Sequence, residues 1–198
     1  MATDGMAIDF GREARQVHRF SLDQYHRIIE RGGFDDDFRA ELIEGVLVDM
    51  SIKTREHENA IRWLTRWLVL AVDSSQYEVG VQTSLTLVES ESEPEPDFTV
   101  LSRDAPRPYH PSTAVLVIEV TVSSHCRDLR QKPFLYARAG VPEYWVADIE
   151  NGRLVVHRNP EDDSYQSIVA VPGDGRVEAQ ALQLPPLNVA DLLTAARQ

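Results

Sequence analysis

Apolar and polar positions follow helical spacing in some stretches of this chain and strict alternation in others. Leu22, Tyr25, Ile28 and Ile29 keep helical spacing up to Gly32 and Gly33. Ser21 and Gln24 form a capping box before them, with Phe20 and Tyr25 at the staple positions, so a short amphipathic helix is predicted. Ile61, Leu64, Leu68 and Val72, with Trp63 and Trp67 beside them, predict a longer helix from His57 to Val72. The run ELIEGVLVDM, Glu41 to Met50, predicts two short strands turning at Glu44-Gly45. Tyr77, Val79 and Val81, then Leu85 and Leu87, alternate as strands do, and Phe98 to Leu101 is a further strand. Ala114 to Val122 is almost wholly apolar, which predicts a central strand covered on both faces. Pro106, Pro108 and Pro111 make the connection before it a surface one.

Leu129 to Ala139 predicts a helix stopped by Gly140, and Tyr144 to Ile149 should pair with Leu154 to His157 across an Asn151-Gly152 turn. A last helix opens at Asn188. Neither a repeat nor a dividing linker interrupts this order. One domain over residues 20–198 is expected after a flexible tail at residues 1–19, with an α/β fold of mixed α+β character.

Composition narrows the class. The chain has 198 residues, 42% hydrophobic and 26% charged, enough for a full core. Cys126 is the only cysteine, so no disulfide forms within the chain. The apolar runs fall short of the roughly 18 residues of a membrane helix, and the opening MATDGMAIDFGREARQ resembles no targeting segment. A cytoplasmic protein without a membrane partner is expected. Twenty basic against 32 acidic residues give a net charge of -12, so nucleic acid would be repelled except at a local basic patch. Lys53 and Lys132 are the only lysines; every other basic side chain of the Lys/Arg class is arginine.

The chemistry on offer is carboxylate chemistry, because no phosphate-binding glycine loop, cysteine pair, H-E-x-x-H or G-x-S-x-G occurs. Glu119 interrupts the apolar run Val115, Leu116, Val117, Ile118, Val120, where an unpaired carboxylate costs several kcal/mol. It therefore needs a cation, a hydrogen-bonding partner such as an arginine, or an exit to water. Glu89, Glu91, Glu93, Glu95 and Asp97 place acids at every second position; the first three are expected in a solvated loop. Asp97 sits where a hairpin to the strand Ala114–Val122 would bring it beside Glu119, and two hard oxygen ligands in one pocket suit magnesium or manganese. Asp128 is expected to cap the following helix, and Tyr136 and Trp145 to pack in the core.

Asp97 in EPEPDF, Glu119 in VLVIEV and the stretch DLRQKPFLYARAGVPEYWVAD resemble the Uma-two family of restriction endonucleases, within the PD-(D/E)XK nuclease superfamily. ELIEG from Glu41 and the following His57 fit the same pattern. The resemblance implies a restriction-endonuclease-like core, a central mixed β-sheet flanked by helices, and metal-dependent hydrolysis of phosphodiester bonds in nucleic acid, with DNA the expected substrate. Thr121 stands where the superfamily's E-x-K carries lysine, and Lys132, on the following helix, takes that place as in this family. Pro133 directly after it predicts a late helix start or a kink.

The resemblance gives Asp97, Glu119 and the Val120 carbonyl to Mg2+ or Mn2+, and Lys132 to the attacking water or the developing charge. Glu41 completes the catalytic set or is merely an exposed strand acid. His57 contacts phosphate or merely begins its helix. Arg127, Arg130, Lys132 and Arg138 form a modest basic cluster from which Arg130 is expected at the substrate. A homodimer is expected, since one such chain leaves little room for both a nuclease core and a duplex groove. Two other readings stay open: a catalytically silent nuclease-like module that binds a partner or dimerises, and a hydrolase of a small phosphate ester. Lys53, in a polar stretch after its strand, is expected to carry no chemistry.

Overall fold

The computed structural model describes residues 17–35, 37–122 and 127–198. Most of the expected tail and Cys126 lie outside these residues. The order is α1 (Leu22–Glu30), β1 (Ala40–Ile43), β2 (Val46–Asp49), α2 (Arg55–Ala71), β3 (Tyr77–Val81), β4 (Phe98–Ser102), β5 (Leu116–Thr121), α3 (Lys132–Arg138), β6 (Glu143–Asp148), β7 (Arg153–Glu161), β8 (Ser164–Pro172), β9 (Arg176–Val177), β10 (Leu187–Asn188) and α4 (Val189–Ala196). Six strands form the central sheet in the order β3-β4-β5-β6-β7-β8. Only β5 and β6 are parallel; every other neighbouring pair is antiparallel. Parallel neighbours need a crossover, and α3 lies within it.

Local chemistry explains the elements. The Ser21 hydroxyl accepts from Gln24 N at 3.2 Å and the Gln24 side chain accepts from Ser21 N at 2.9 Å, which closes the capping box of α1. The β1–β2 hairpin turns at Glu44 (φ 47°) and Gly45 (φ 79°). A Cβ at position 45 would stand 2.8 Å from the Phe20 carbonyl oxygen, so only glycine lets the chain entering α1 pass this close.

Side-chain alternation on the sheet divides the core. Leu116, Ile118 and Val120 join Phe98, Val100 and Trp145 under Ala60, Leu64 and Leu68 of α2 and Leu192 of α4. Val117 packs on the other face with Leu135 and Tyr136 of α3, Tyr144 and Val146. All six residues of β5 are buried, as its apolar run predicts. Each large aliphatic side chain buried there contributes about 1.5–3 kcal/mol of transfer free energy.

Two expected elements differ. Leu85 and Leu87 are buried but form no strand: Leu87 makes an isolated bridge to Ser92, and a short 3-10 turn follows at Val88–Ser90. The helix expected from Leu129 begins as α-helix only at Lys132, after a π-helical turn over Arg127–Gln131. Pro133 occupies the first turn of α3, where its missing N–H costs nothing, so the late start follows from that proline.

Candidate active site

Register builds the site. Phe98 pairs with Ile118 in the antiparallel β4–β5 ladder, so Asp97, one residue before β4, comes opposite Glu119. Asp97 N donates to Glu119 Oε2 at 3.3 Å, and Val120 N donates to Asp97 Oδ2 at 2.9 Å. Glu119 meets α3, whereas the Asp97 carboxylate lies against the Val120 N–H at the strand junction. The crossover returns α3 over the end of β5, and its first residue, Lys132, donates through Nζ to Glu119 Oε1 at 2.8 Å and Glu41 Oε1 at 3.0 Å. Asp128 Oδ1 stands 3.6 Å from the same ammonium. Tyr136, one turn on, donates its hydroxyl to Glu119 Oε1 at 3.2 Å.

From the other side the first turn of α2, capped by Thr54, brings His57 Nε2 to 3.1 Å from Asp97 Oδ2, and Gln82 Nε2 donates to Asp97 Oδ1 at 3.2 Å. Glu95 N donates to Glu41 Oε1 at 3.0 Å, tying the hairpin to the Asp97 segment. Glu41, His57, Glu95, Asp97, Glu119, Val120, Asp128 and Lys132 line one cavity of about 400 Å³.

Burial and charge set the protonation. Asp97, Glu119 and Lys132 are each less than 8% exposed. Burial is the largest influence on Asp97 and pushes its carboxyl up, but His57, the Val120 N–H and Gln82 together hold it below the ordinary carboxylate range. Burial raises Glu119 well above that range; Lys132 opposes this, while Asp128, Asp97 and Glu41 reinforce it. For Lys132 burial works downward, and Glu119, Glu41 and Asp128 override it, so the ammonium is held well above its usual value. Glu95, half-buried, is raised by burial, relieved in part by Lys53 and raised further by Glu41.

Most of the expected residues meet here. Glu41 is a buried acid on the lysine and not an exposed strand position, and His57 holds Asp97 as well as opening a helix. Arg130 is exposed and does not line the cavity. Arg138 is committed elsewhere, to Asp163 at 2.7 Å and Glu44 at 3.5 Å, so neither Arg130 nor Arg138 joins Lys132 at the cavity. Asp128 does not cap α3, whose N-cap is Gln131; it faces Lys132 from the π-helical turn. Lys53, given no chemistry from the sequence, stands exposed on the cavity rim.

Glu93 is not a solvated loop acid. It is 4% exposed, 2.9 Å from His26 Nε2, and accepts from the Thr86 hydroxyl at 2.8 Å. Trp145 is the core aromatic expected; Tyr136 is buried too, but its hydroxyl belongs to the site. Glu95, Gln82 and the Tyr136 hydroxyl were not singled out by the sequence. The acidic alternation that marked Asp97 also marks Glu95, whereas Gln82 and Tyr136 carry no local signal.

A sequence profile for Uma2, described as "Putative restriction endonuclease", matches residues 22–190. The chain belongs to the Uma2 family. Among solved structures, it is similar to a "putative nuclease belonging to DUF820" from Anabaena variabilis ATCC 29413. The two share 15% identity at a TM-score of 0.69, over 89% of this chain and 99% of the other. That likeness shows the fold, a mixed α/β sheet flanked by helices. A second match is the type IIG restriction endonuclease BpuSI, at 15% identity and TM-score 0.39, covering 75% of this chain and 17% of that one. No curated protein matches the chain. Among the described residues of this Uma2 chain, no helix is long and apolar enough to cross a membrane.

The donor set fits a hard divalent cation. Three carboxylates, Glu41, Glu119 and Asp128, face a single buried ammonium, and Glu119 is raised first by burial and then by the charges of Asp128, Asp97 and Glu41 against the one lysine. Among the described residues no three His, Cys, Asp or Glu side chains form a ready cage. Asp97 and Glu119 would offer two hard carboxylates, and with the Val120 carbonyl and water they would make up the oxygen mixture that magnesium and manganese accept.

Proposed function

We propose that this Uma2 chain is a magnesium- or manganese-dependent nuclease that hydrolyses phosphodiester bonds of nucleic acid, with DNA as substrate and a homodimer as the working unit. The observation that carries the reading is the opposition of Asp97 and Glu119 across β4–β5 with the Lys132 ammonium at 2.8 Å from Glu119. Asp97 and Glu119 would hold the ion together with the Val120 carbonyl. What such an ion would supply there is polarisation of a phosphoryl oxygen and a more acidic water.

The chain's own groups supply the rest. His57, Gln82 and the Val120 N–H fix the Asp97 carboxylate in its ionised form. Tyr136 and Lys132 orient Glu119, and the carboxylates of Glu119, Glu41 and Asp128, against the effect of burial, keep Lys132 a fixed positive donor toward the charge that grows on the phosphoryl oxygens. Glu41 and Asp128 seat that ammonium and keep it from swinging into solvent. Lys53 on the rim supplies a phosphate contact in place of the Arg130 expected from sequence.

The acid excess favours a second reading, hydrolysis of a small phosphate ester: the basic side chains lining the cavity are Lys53, His57 and Lys132, and Lys132 is engaged by carboxylates. Supercoiled plasmid, a short single strand and p-nitrophenyl phosphate, each with magnesium, manganese or EDTA, separate the two. Cleavage of either nucleic acid that EDTA abolishes supports the nuclease. Turnover of the ester alone transfers the site to the second reading, and inactivity on all three removes both.

A further inference from the structure

The two edges of the central sheet are built differently. β3 is five residues long, contains Gly80, and has Glu78 in an ion pair with Arg107. Short length and charge are ordinary protections against edge-to-edge pairing. β8 has neither. It runs nine residues, Ser164–Pro172, with no charged side chain and no proline before its last position. Among the described residues no strand or bridge occupies its outer side. Ile168 is 61% exposed and Val169 48%.

We infer that β8 is a homodimer interface, in which the open edges of two copies pair antiparallel about a two-fold axis near Ile168 and join the two sheets. The inference rests on the homodimeric reading above and names the surface responsible. The strand's own sequence selects a second copy as the occupant, and charge fixes where the two copies can meet. Two chains of net charge -12 repel one another over most of their surface, and a neutral strand is where they approach at least cost. Antiparallel pairing about its midpoint is also self-complementary: Ile168 meets Ile168, Ser167 meets Val169 and Gln166 meets Ala170, with no like charges opposed. Asp97, just before β4, and Glu119 on β5 stand three or more strands from β8, and pairing adds to the sheet beyond its outer edge, away from both acids.

A ladder of this size is small for a stable interface, so the dimer should dissociate measurably on dilution. Sedimentation velocity of the full chain over micromolar concentrations tests it. The expected result is a doubling of mass that tightens as salt screens the repulsion, accompanied by slow amide exchange along β8. Ile168→Lys and, separately, Val169→Lys should weaken association at least about tenfold by placing like charges across the axis, with helical circular dichroism and metal binding unchanged. Both positions are exposed, so the fold tolerates the change. A dimer that persists in both variants overturns this interface while sparing the homodimer; a wild-type monomer overturns both. Slow exchange along β8 in a monomer, released on removing residues 1–16, would instead give the edge to the chain's own N-terminal residues and overturn the inference.

Discussion

Asp97 and Glu119 hold one another in place through backbone groups: Asp97 N donates to the Glu119 carboxylate at 3.3 Å, and the N–H of Val120, next to Glu119, donates to the Asp97 carboxylate at 2.9 Å. Each acid is therefore positioned by the strand that carries the other. Rigid strands hold such constellations more closely than loops do. A shift of the β4–β5 register by one residue would move Asp97 from opposite Glu119 and break both bonds of the pair.

Lys132→Arg should lower nucleic-acid cleavage by about a hundredfold or more while leaving metal affinity intact. Lys132 is 7% exposed and its ammonium is wedged between Glu41 and Glu119; a planar guanidinium keeps the charge but not the compact point donor that fits there. Lys53→Arg, on the exposed rim, should change little. Initial rates under saturating metal, with calorimetry for affinity, check the pair. Equal effects from the two substitutions would remove Lys132 from the mechanism.

Tyr136→Phe separates support of Glu119 from metal ligation. The hydroxyl donates to Glu119 at 3.2 Å inside the core, and burial, with the Glu119 charge next in size, pushes its own ionisation well above the ordinary tyrosine range, so it remains a donor. Losing a buried bond to a charged acceptor should cost about 1.5–3 kcal/mol of stability in urea titration. Cleavage should fall by less than in Lys132→Arg. A variant as stable as wild type would show that the hydroxyl does not hold Glu119.

His157 gives the protein a pH dependence that does not involve the site. It is 2% exposed, and burial depresses its pKa below 6.5 against the opposing bond of Nδ1–H to the Tyr144 carbonyl. The unfolded chain then binds a proton that the folded chain refuses. Its contribution to stability is fully present above pH 6.5 and is lost as pH falls through the folded value. The urea midpoint of wild type should drop between pH 7.5 and 5, and His157→Phe should flatten that drop. Identical pH profiles for the two proteins would contradict this.

What could be read from the sequence was local. Glu119 betrayed itself as one acid in an apolar run, α1 by its capping box, the hairpin by Glu44-Gly45, and Lys132 by the scarcity of lysine. What failed depended on partners distant in sequence. The burial of Glu93 requires His26, 67 residues away, and no neighbour of Glu93 announces it. Gln82 reaches Asp97 because the β3–β4 register continues one pair beyond Val81 and Phe98, a pairing no local pattern announces, and Lys53 reaches the cavity because the β1–β2 hairpin folds against the Asp97 segment. Leu85 and Leu87 alternate correctly, but Leu85 N bonds to Pro94 O and Thr86 N to Pro111 O, which divides the segment between two partners and prevents a ladder. The late start of α3 was legible in Pro133, whereas the π-helical turn before it was not.

The Asp97–Glu119 pair is tested most directly by titrating manganese into metal-free wild type and Asp97→Asn in a calorimeter. The substitution keeps the shape of the side chain and an oxygen to accept from Val120 N, and removes only the charge. One ion should bind wild type, and affinity should fall at least about a hundredfold in the variant, since a lost ligand charge costs no less than the 10–100-fold of an outer-shell change. Equal affinity in the two proteins would contradict the account, because the ion would then bind elsewhere.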